Sequence, residues 1–361
     1  KASGRISACI TTAGPGATNL VTGIANAFAD KQPILIITGE TSTTIFGKGG
    51  LQESSGEGGS IDQGELFRSI TRYSKLIERT DYLAQVLNQA SKILLSANPG
   101  PVLLSLPFNV QKELVDADIL RNIKTKRHVY AVDKNSPPVD ALAQQISEAK
   151  HPVILAGYGC IKSGAQDIVS QLSKSLNIPV ATSLKGKGVI GDASELSLGS
   201  LGVTSDGRAY RYIVQQADMV LFLGAGFNER TSYLWDQKIL RNKKVAQIDS
   251  DPAQLEKVFE ADVAIQGDIK EVLTGVLGNL TEKGIAKKEL NGMLRHSSTP
   301  GTDNGDSYAS LSRAKFALVE KFFAELEKHF PENAFFFDDN IIFAQNFFNV
   351  SSSNRYFPNS G

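Results

Sequence analysis

Cysteine is nearly absent from the 361 residues, with Cys9 and Cys160 the only two. Two cysteines make no disulfide framework, and their scarcity fits a reducing compartment. Histidine is scarce as well. The four, at positions 128, 151, 296 and 329, are scattered and show no metal-ligand spacing. No apolar run approaches the ~20 residues that a membrane-spanning helix needs. An excess of either charge is also missing. Lys+Arg and Asp+Glu number 38 each, so the formal net charge is zero. That leaves no electrostatic footprint for nucleic acid or an anionic membrane. The chain opens at Lys1 with no signal-peptide pattern and enters an apolar segment almost at once. It is read as an internal piece of a longer cytoplasmic chain that stops as abruptly at Gly361.

Apolar segments at regular intervals are what the sequence does have, and its 41% hydrophobic content suffices for two domains and part of a third. Residues 6–12 predict a buried strand, and Ala13-Gly14-Pro15-Gly16 a forced turn. Leu20, Val21, Ile24, Ala25 and Phe28 then recur at helical spacing over residues 17–29. Residues 33–38 are continuously apolar, as in a parallel strand buried on both faces. The Gly- and Ser-rich residues 47–60 predict a loop, mobile at 56–60 and suited to tuning substrate choice. A helix at 82–95 and a buried strand at 101–106 complete a domain over residues 1–112. Residues 113–137 are charged, run into Pro137-Pro138, and read as a linker.

A second series occupies residues 138–282. Helices are expected at 139–149 and 165–176, and strands at 152–156, 178–181, 219–223, 244–248 and 263–266. Strands alternating with helices predict the α/β class, with a doubly wound, Rossmann-like parallel sheet in this domain. Residues 283–306 are polar and read as a second linker. Residues 307–330 predict one long helix with Leu311, Ala314, Leu318, Phe322 and Leu326 on its apolar face. A strand at 334–337 and a helix start at 341–348 open a third domain, 307–361.

Thr11 to Asn19, reading TTAGPGATN, is the most informative stretch. It follows a strand and opens a helix, the edge where open α/β sheets bind ligands. Gly14 and Gly16 allow close backbone approach, and Asn19 offers an amide beside the free N–H groups of a first helical turn. The plain alternative is a strand-to-helix turn. Residues 12–38 nevertheless resemble, nearly throughout, the pyrimidine-binding domain of the thiamine-diphosphate enzymes, most closely acetolactate synthase. The resemblance extends over nearly all of the chain. It implies a thiamine-diphosphate-binding fold with a partial pyrimidine domain, the Rossmann-like central domain, and a truncated pyrophosphate-binding domain.

The resemblance also implies roles. Pro15 and Asn19 match residues that contact the aminopyrimidine ring, with Gly14 and Gly16 beside them. Leu51-Gln52-Glu53 is similar to the family's Phe-Gln-Glu, which would set Gln52 facing the reacting carbon. Residues 98–102 resemble the end of the pyrimidine domain. Phe337-Asp338-Asp339-Asn340 resembles the first diphosphate-side strand and loop, so Asp339 and Asn340 are cofactor candidates. In that family the cofactor attacks a 2-oxo acid and carbon dioxide leaves into an electron sink. The family's activating glutamate would stand upstream of Lys1, and its Gly-Asp-Gly metal motif beyond Gly361. No metal ligand is therefore assigned. This piece alone is expected to bind thiamine diphosphate with Mg²⁺ weakly or not at all. The implied activity is acetolactate synthesis from pyruvate, in branched-chain amino acid biosynthesis, by a homodimer or homotetramer.

Gly157-Tyr158-Gly159-Cys160 lies where a dinucleotide would reach, although close strand–helix packing explains it as well. Acetolactate synthases carry a structural FAD in the central domain. Gly157, Gly159, Thr182, Gly202, Gly224 and Asp249 match positions near it. Other positions depart from the family. Asn98 and Gly226 replace arginines that pair with FAD, Val203-Thr204 replaces Met-His, and Ser42-Thr43-Thr44 replaces Pro-Arg-Arg. Each lost charge-assisted bond removes about 1.5–3 kcal/mol, so FAD is expected to be absent or bound differently. Three readings stay open: an acetolactate synthase-like enzyme, a relative with the same cofactor and another acyl donor or acceptor, and a non-catalytic nucleotide-binding module. Elsewhere simple readings serve. Lys185-Gly186-Lys187-Gly188 reads as a solvated loop, Glu229-Arg230 as a helix-start ion pair, and Phe335 to Phe337 as core. Arg230 also matches a family arginine near the active-site entrance.

Overall fold

Short β-branched runs separated by helices produce parallel pairing, because only a crossover brings the next strand back in the same direction. The computed structural model describes residues 1–123, 136–284, 286–290, 316–331, 333–339, 342–350 and 355–358. The described residues fall into two compact units, one ending at residue 123 and the other starting at residue 136.

In the first unit the elements run β1 Ser7–Thr11, α1 Pro15–Thr18, α2 Val21–Ala29, β2 Ile34–Glu40, α3 Gln63–Arg68, β3 Tyr73–Leu76, α4 Leu83–Leu94 and β4 Val102–Pro107. The sheet order is β1-β2-β4-β3, parallel throughout. Helices cover both faces of β4, which explains its unbroken apolar run. Val86, Ala90 and Leu94 of α4 pack with Val102 and Leu104. Ile24 of α2 and Phe67 of α3 pack with Ile36 and Leu103 on the other face. The expectation that residues 6–12 are buried is corrected: β1 is the edge of the described sheet, and Ile10 is 75% exposed. An edge strand pairs on one side only, so β-branched character there does not signal burial.

The second unit contains α5 Pro137–Glu148, β5 Pro152–Ala156, α6 Tyr158–Lys162, α7 Gln166–Leu176, β6 Val180–Thr182, β7 Ser197–Ser200, α8 Arg208–Gln215, β8 Met219–Leu223, β9 Lys244–Asp249, β10 Val263–Gln266 and α9 Ile269–Glu282. Its six strands stand in the order β10-β9-β8-β5-β6-β7. The order reverses between β5 and β8, which is the doubly wound arrangement with its switch point there. Leu142, Leu172 and Val276, from α5, α7 and α9, share one core with Ile154 and Leu221. Tyr212 and Ile213 of α8 cover the opposite face over Val153 and Phe222. No described helix is long and apolar enough to cross a membrane.

The same unit ends with α10 Ala317–His329, β11 Phe336–Asp338, α11 Ile342–Phe347 and β12 Tyr356–Pro358. The helix expected over 307–330 is thus found from 317; residues 307–315 lie outside the described residues, as do 124–135 and 291–306 of the two expected linkers. Its apolar face is corrected. Leu318 is 81% and Phe322 59% exposed, whereas Phe323 is buried with Val319 and Leu326 beside it. Leu326 of the expected face is packed as read, but Val319 and Phe323 take the places expected of Leu318 and Phe322, because the partner surface, not the count of apolar residues, selects the face. Phe335 and Phe337 are exposed and only Phe336 joins the core, since a strand sends alternate side chains to opposite faces. The solvated loop at 185–188 is corrected as well. Lys187 is 6% exposed. Its Nζ donates to the Gln345 carbonyl at 3.0 Å and stands 3.5 Å from Asp192 Oδ2. Residues after α10 cover this loop. No helix starts at Glu229-Arg230; residues 229–235 are a run of turns.

Candidate functional site

After β1 the backbone reverses through Gly14, whose φ of 58° is the left-handed conformation that glycine adopts freely. Pro15 follows at the first position of α1, where its fixed φ suits the helix and its missing N–H costs nothing. The Pro15 ring and the Asn19 side chain are both exposed. A Cβ on Gly16 would stand 2.4 Å from Thr12 Oγ1 and 2.5 Å from Thr11 Oγ1, so a side chain there would have to displace both hydroxyls. A Cβ on Gly14 would meet the Gln52 carbonyl oxygen at 3.4 Å and its Cβ at 3.5 Å. The structure thereby brings exposed Gln52 against the Gly14-Pro15-Gly16 turn, with Asn19 one helical turn away. An exposed ring, an amide and glycine backbone on an open turn fit one edge of a flat heteroaromatic ligand.

Two buried carboxylates flank Gln52. Glu53 accepts hydrogen bonds from the N–H of Gly47 at 2.5 Å, the N–H of Gly50 at 2.9 Å and the hydroxyl of Ser55 at 2.7 Å. The Gly47 amide, then the Ser55 hydroxyl, hold the Glu53 carboxyl below the ordinary glutamate range. Glu40, at the end of β2, accepts from the N–H of Thr41 at 2.8 Å and of Ser54 at 3.0 Å. Within residues 56–60 the Gly56 N–H donates to the Ile61 carbonyl and the Ser60 N–H to the Glu57 carbonyl. A cleft of about 540 Å³ lies beyond Ser54, lined among others by Glu40, Gln63, Arg68, Arg72 and Ser105. Buried Gln63 donates to Thr38 Oγ1 at 2.7 Å and Ser105 Oγ at 3.0 Å. Sequence reasoning passed over Glu40 and Gln63, and gave Glu53 no role although it stands in the Leu51-Gln52-Glu53 match. A glutamate close to a glycine cluster was a signal for Glu53; the other two left none.

In the second unit, Gly157, Thr182, Gly224 and Asp249 stand at the carboxyl ends of β5, β6, β8 and β9. Gly157 and Gly224 meet at the switch point. Their space is taken by each other. A Cβ on Gly157 would lie 2.1 Å from the Gly224 carbonyl oxygen, one on Gly159 2.6 Å from Gly224 Cα, and one on Gly224 2.5 Å from Gly159 Cα. Close strand–helix packing accounts for these three glycines. Gly202 follows β7, with the Arg230 carbonyl 3.7 Å from where its Cβ would be. Thr182 Oγ1 pairs with Ser200 Oγ at 3.3 Å, and Asp249 Oδ1 accepts the Asp251 N–H at 2.9 Å. Buried Cys160 donates its thiol to the Leu223 carbonyl at 3.3 Å, and burial pushes that thiol well above its ordinary range. The Asn98 side-chain oxygen accepts from Arg72 at 3.2 Å. Neither Asn98 nor Gly226 supplies the positive charge a flavin diphosphate would need. Asp339 is exposed just after β11; Asn340 lies outside the described residues. Among the described residues no cluster of three or more His, Cys, Asp or Glu is placed to hold a metal.

Residues 1–60 match the profile of the thiamine pyrophosphate enzyme N-terminal TPP binding domain, and residues 139–276 that of the thiamine pyrophosphate enzyme central domain. Together they span more than half of the chain. A probable acetolactate synthase large subunit of Methanocaldococcus jannaschii is 34% identical over 293 residues, covering 80% of this chain and 48% of that protein. A protein of the same description from Methanococcus aeolicus is 35% identical, covering 78% and 46%. The acetolactate synthase isozyme 1 large subunit of Escherichia coli is 34% identical, covering 76% and 46%. The chain spans about half the length of the curated relatives it matches. On the matched domains, their order and the geometry of the turn at Gly14, the chain belongs to the thiamine pyrophosphate enzyme family.

Proposed function

We propose that the full-length protein carries out thiamine-diphosphate-dependent decarboxylation and carboligation of 2-oxo acids, acetolactate synthase-like, joining two pyruvates into acetolactate. The observation that carries this reading is Gln52 packed on the turn that exposes Pro15 and Asn19. The names of the relatives support it. The cofactor, when bound with Mg²⁺, supplies the electron sink for the carbanion left by decarboxylation. This chain's residues would bind and orient. The Pro15 ring offers an apolar surface to the aminopyrimidine, and the Asn19 amide fixes its edge. The Gln52 amide would hydrogen-bond the 2-oxo acid as its carboxylate departs. Asp339 and Asn340 would lie on the diphosphate side, in a pyrophosphate domain opening at 307, after the domains 1–112 and 138–282. A homodimer or homotetramer in the cytoplasm, serving branched-chain amino acid biosynthesis, accords with the same reading.

A second reading keeps the cofactor, changes the acyl acceptor and dispenses with FAD. The backbone contacts that fill the space at Gly157, Gly159 and Gly224 favour it, as do Asn98 and Gly226 in place of arginines. The test is to incubate full-length protein with pyruvate, thiamine diphosphate and Mg²⁺ and to measure acetolactate. Cofactor-dependent acetolactate is expected, with Asn19→Ala needing roughly tenfold more cofactor for half-maximal rate, about 1.4 kcal/mol of binding. Carbon dioxide without acetolactate would favour the second reading. No cofactor-dependent turnover of any 2-oxo acid would overturn both.

A further inference from the structure

We infer that Glu53 and Glu40 are positioning residues for Gln52, anchoring the loop that holds it against the cofactor turn. This rests on the reading that Gln52 meets the substrate. Gln52 has a left-handed backbone, φ 58°, which a residue with a side chain keeps only where its neighbours hold it. Those neighbours are fixed on both sides. Glu53 accepts from Gly47, Gly50 and Ser55. Ser54 gives its N–H to Glu40 and its hydroxyl to the Gln52 carbonyl at 3.1 Å. The Glu53 N–H in turn donates to the Gly50 carbonyl at 3.1 Å.

Every group bonded to the Glu53 carboxylate is a donor, so an acceptor-only side chain is required at that position. A glutamine would keep the size but turn an NH₂ toward one of those donors, leaving it unpaired. Glu40 accepts through Oε1 alone, so a glutamine there could keep both bonds, and Glu40→Gln is the milder change. Without the two anchors the backbone of residue 52 would relax, and its amide would leave the vicinity of the Gly14 turn. The chemistry proposed for thiamine diphosphate uses neither carboxylate directly.

The experiment compares full-length wild type, Glu53→Gln, Glu53→Asp, Glu40→Gln and Gln52→Ala, plus the double variant Gln52→Ala with Glu53→Gln. Lys48, exposed within the anchored loop, is a tryptic site that reports loop order without reference to activity. Cleavage after Lys48 should accelerate at least tenfold in Glu53→Gln, and less in Glu53→Asp and Glu40→Gln. Turnover should fall at least tenfold in Glu53→Gln, with the cofactor concentration for half-maximal rate within about twofold of wild type. In the Gln52→Ala background the same substitution should change turnover by less than about twofold, because coupled residues are not additive. An equal loss in both backgrounds would overturn the inference. So would unchanged cleavage at Lys48. If wild type shows no cofactor-dependent turnover, the functional reading fails, and cleavage at Lys48 still decides whether the carboxylates hold the loop.

Discussion

Glycine carries three different duties here, and each leaves its own sign at the residue scale. Gly14 supplies a left-handed turn, Gly16 leaves room for two threonine hydroxyls, and Gly224 lets two backbones touch. Gly224→Ala combines a positive φ of 54° with a Cβ 2.5 Å from Gly159 Cα. Overpacking against rigid backbone plus left-handed strain should cost about 2–4 kcal/mol. Urea denaturation would measure it, and a loss below about 0.5 kcal/mol would contradict the packing account. Pro15, Asn19 and Gln52 were legible as candidates because they sit in motifs of consecutive residues. Glu40 was not legible, since one acid after an apolar strand has no local signature.

At the scale of elements, the loop between β2 and α3 is held by a charge. The folded pKa of Glu53 is depressed, so its stabilising contribution is present above the unfolded value and is lost as pH falls through the folded one. The loop should therefore be ordered at neutral pH and loosen in acid below the usual glutamate range. Hydrogen exchange at the Gly47 and Gly50 amides would follow this; protection unchanged down to the acid unfolding of the sheet would refute it. The same scale shows where periodicity serves and where it does not. β4, β5 and β8 are buried on both faces and read directly as apolar runs, whereas β2, expected to be buried on both faces, alternates between buried and half-buried residues. β3, with sequence YSKL and half-buried throughout, carries no such run and was not anticipated. Nor were α8 and α9. In α10 the apolar residues occupy more than one stripe, so of the face that the sequence named packing used Leu326 but not Leu318 or Phe322.

For the molecule as a whole, balanced charge is the dominant fact of solution behaviour. With 38 charges of each sign and a sequence pI near 7.1, mutual repulsion between copies is weakest near neutrality. The chain should be least soluble near pH 7 and more soluble two units to either side. Precipitation measured across that range at low salt would check this, and a minimum far from neutrality would show that charges are masked.

The alternation of most strands and helices, the parallel α/β class and the glycine turn at Gly14 were determined by the sequence alone. Apolar period, proline and glycine act on the backbone within a few residues of themselves, so consecutive letters suffice to read them. Tertiary structure alone decided that Gln52 rests on Gly14, that Gly224 backs onto Gly159, that Ile10 of β1 is exposed and that Lys187 is buried. Those contacts join residues far apart in the chain, and no local pattern records which surface a folded neighbour will cover.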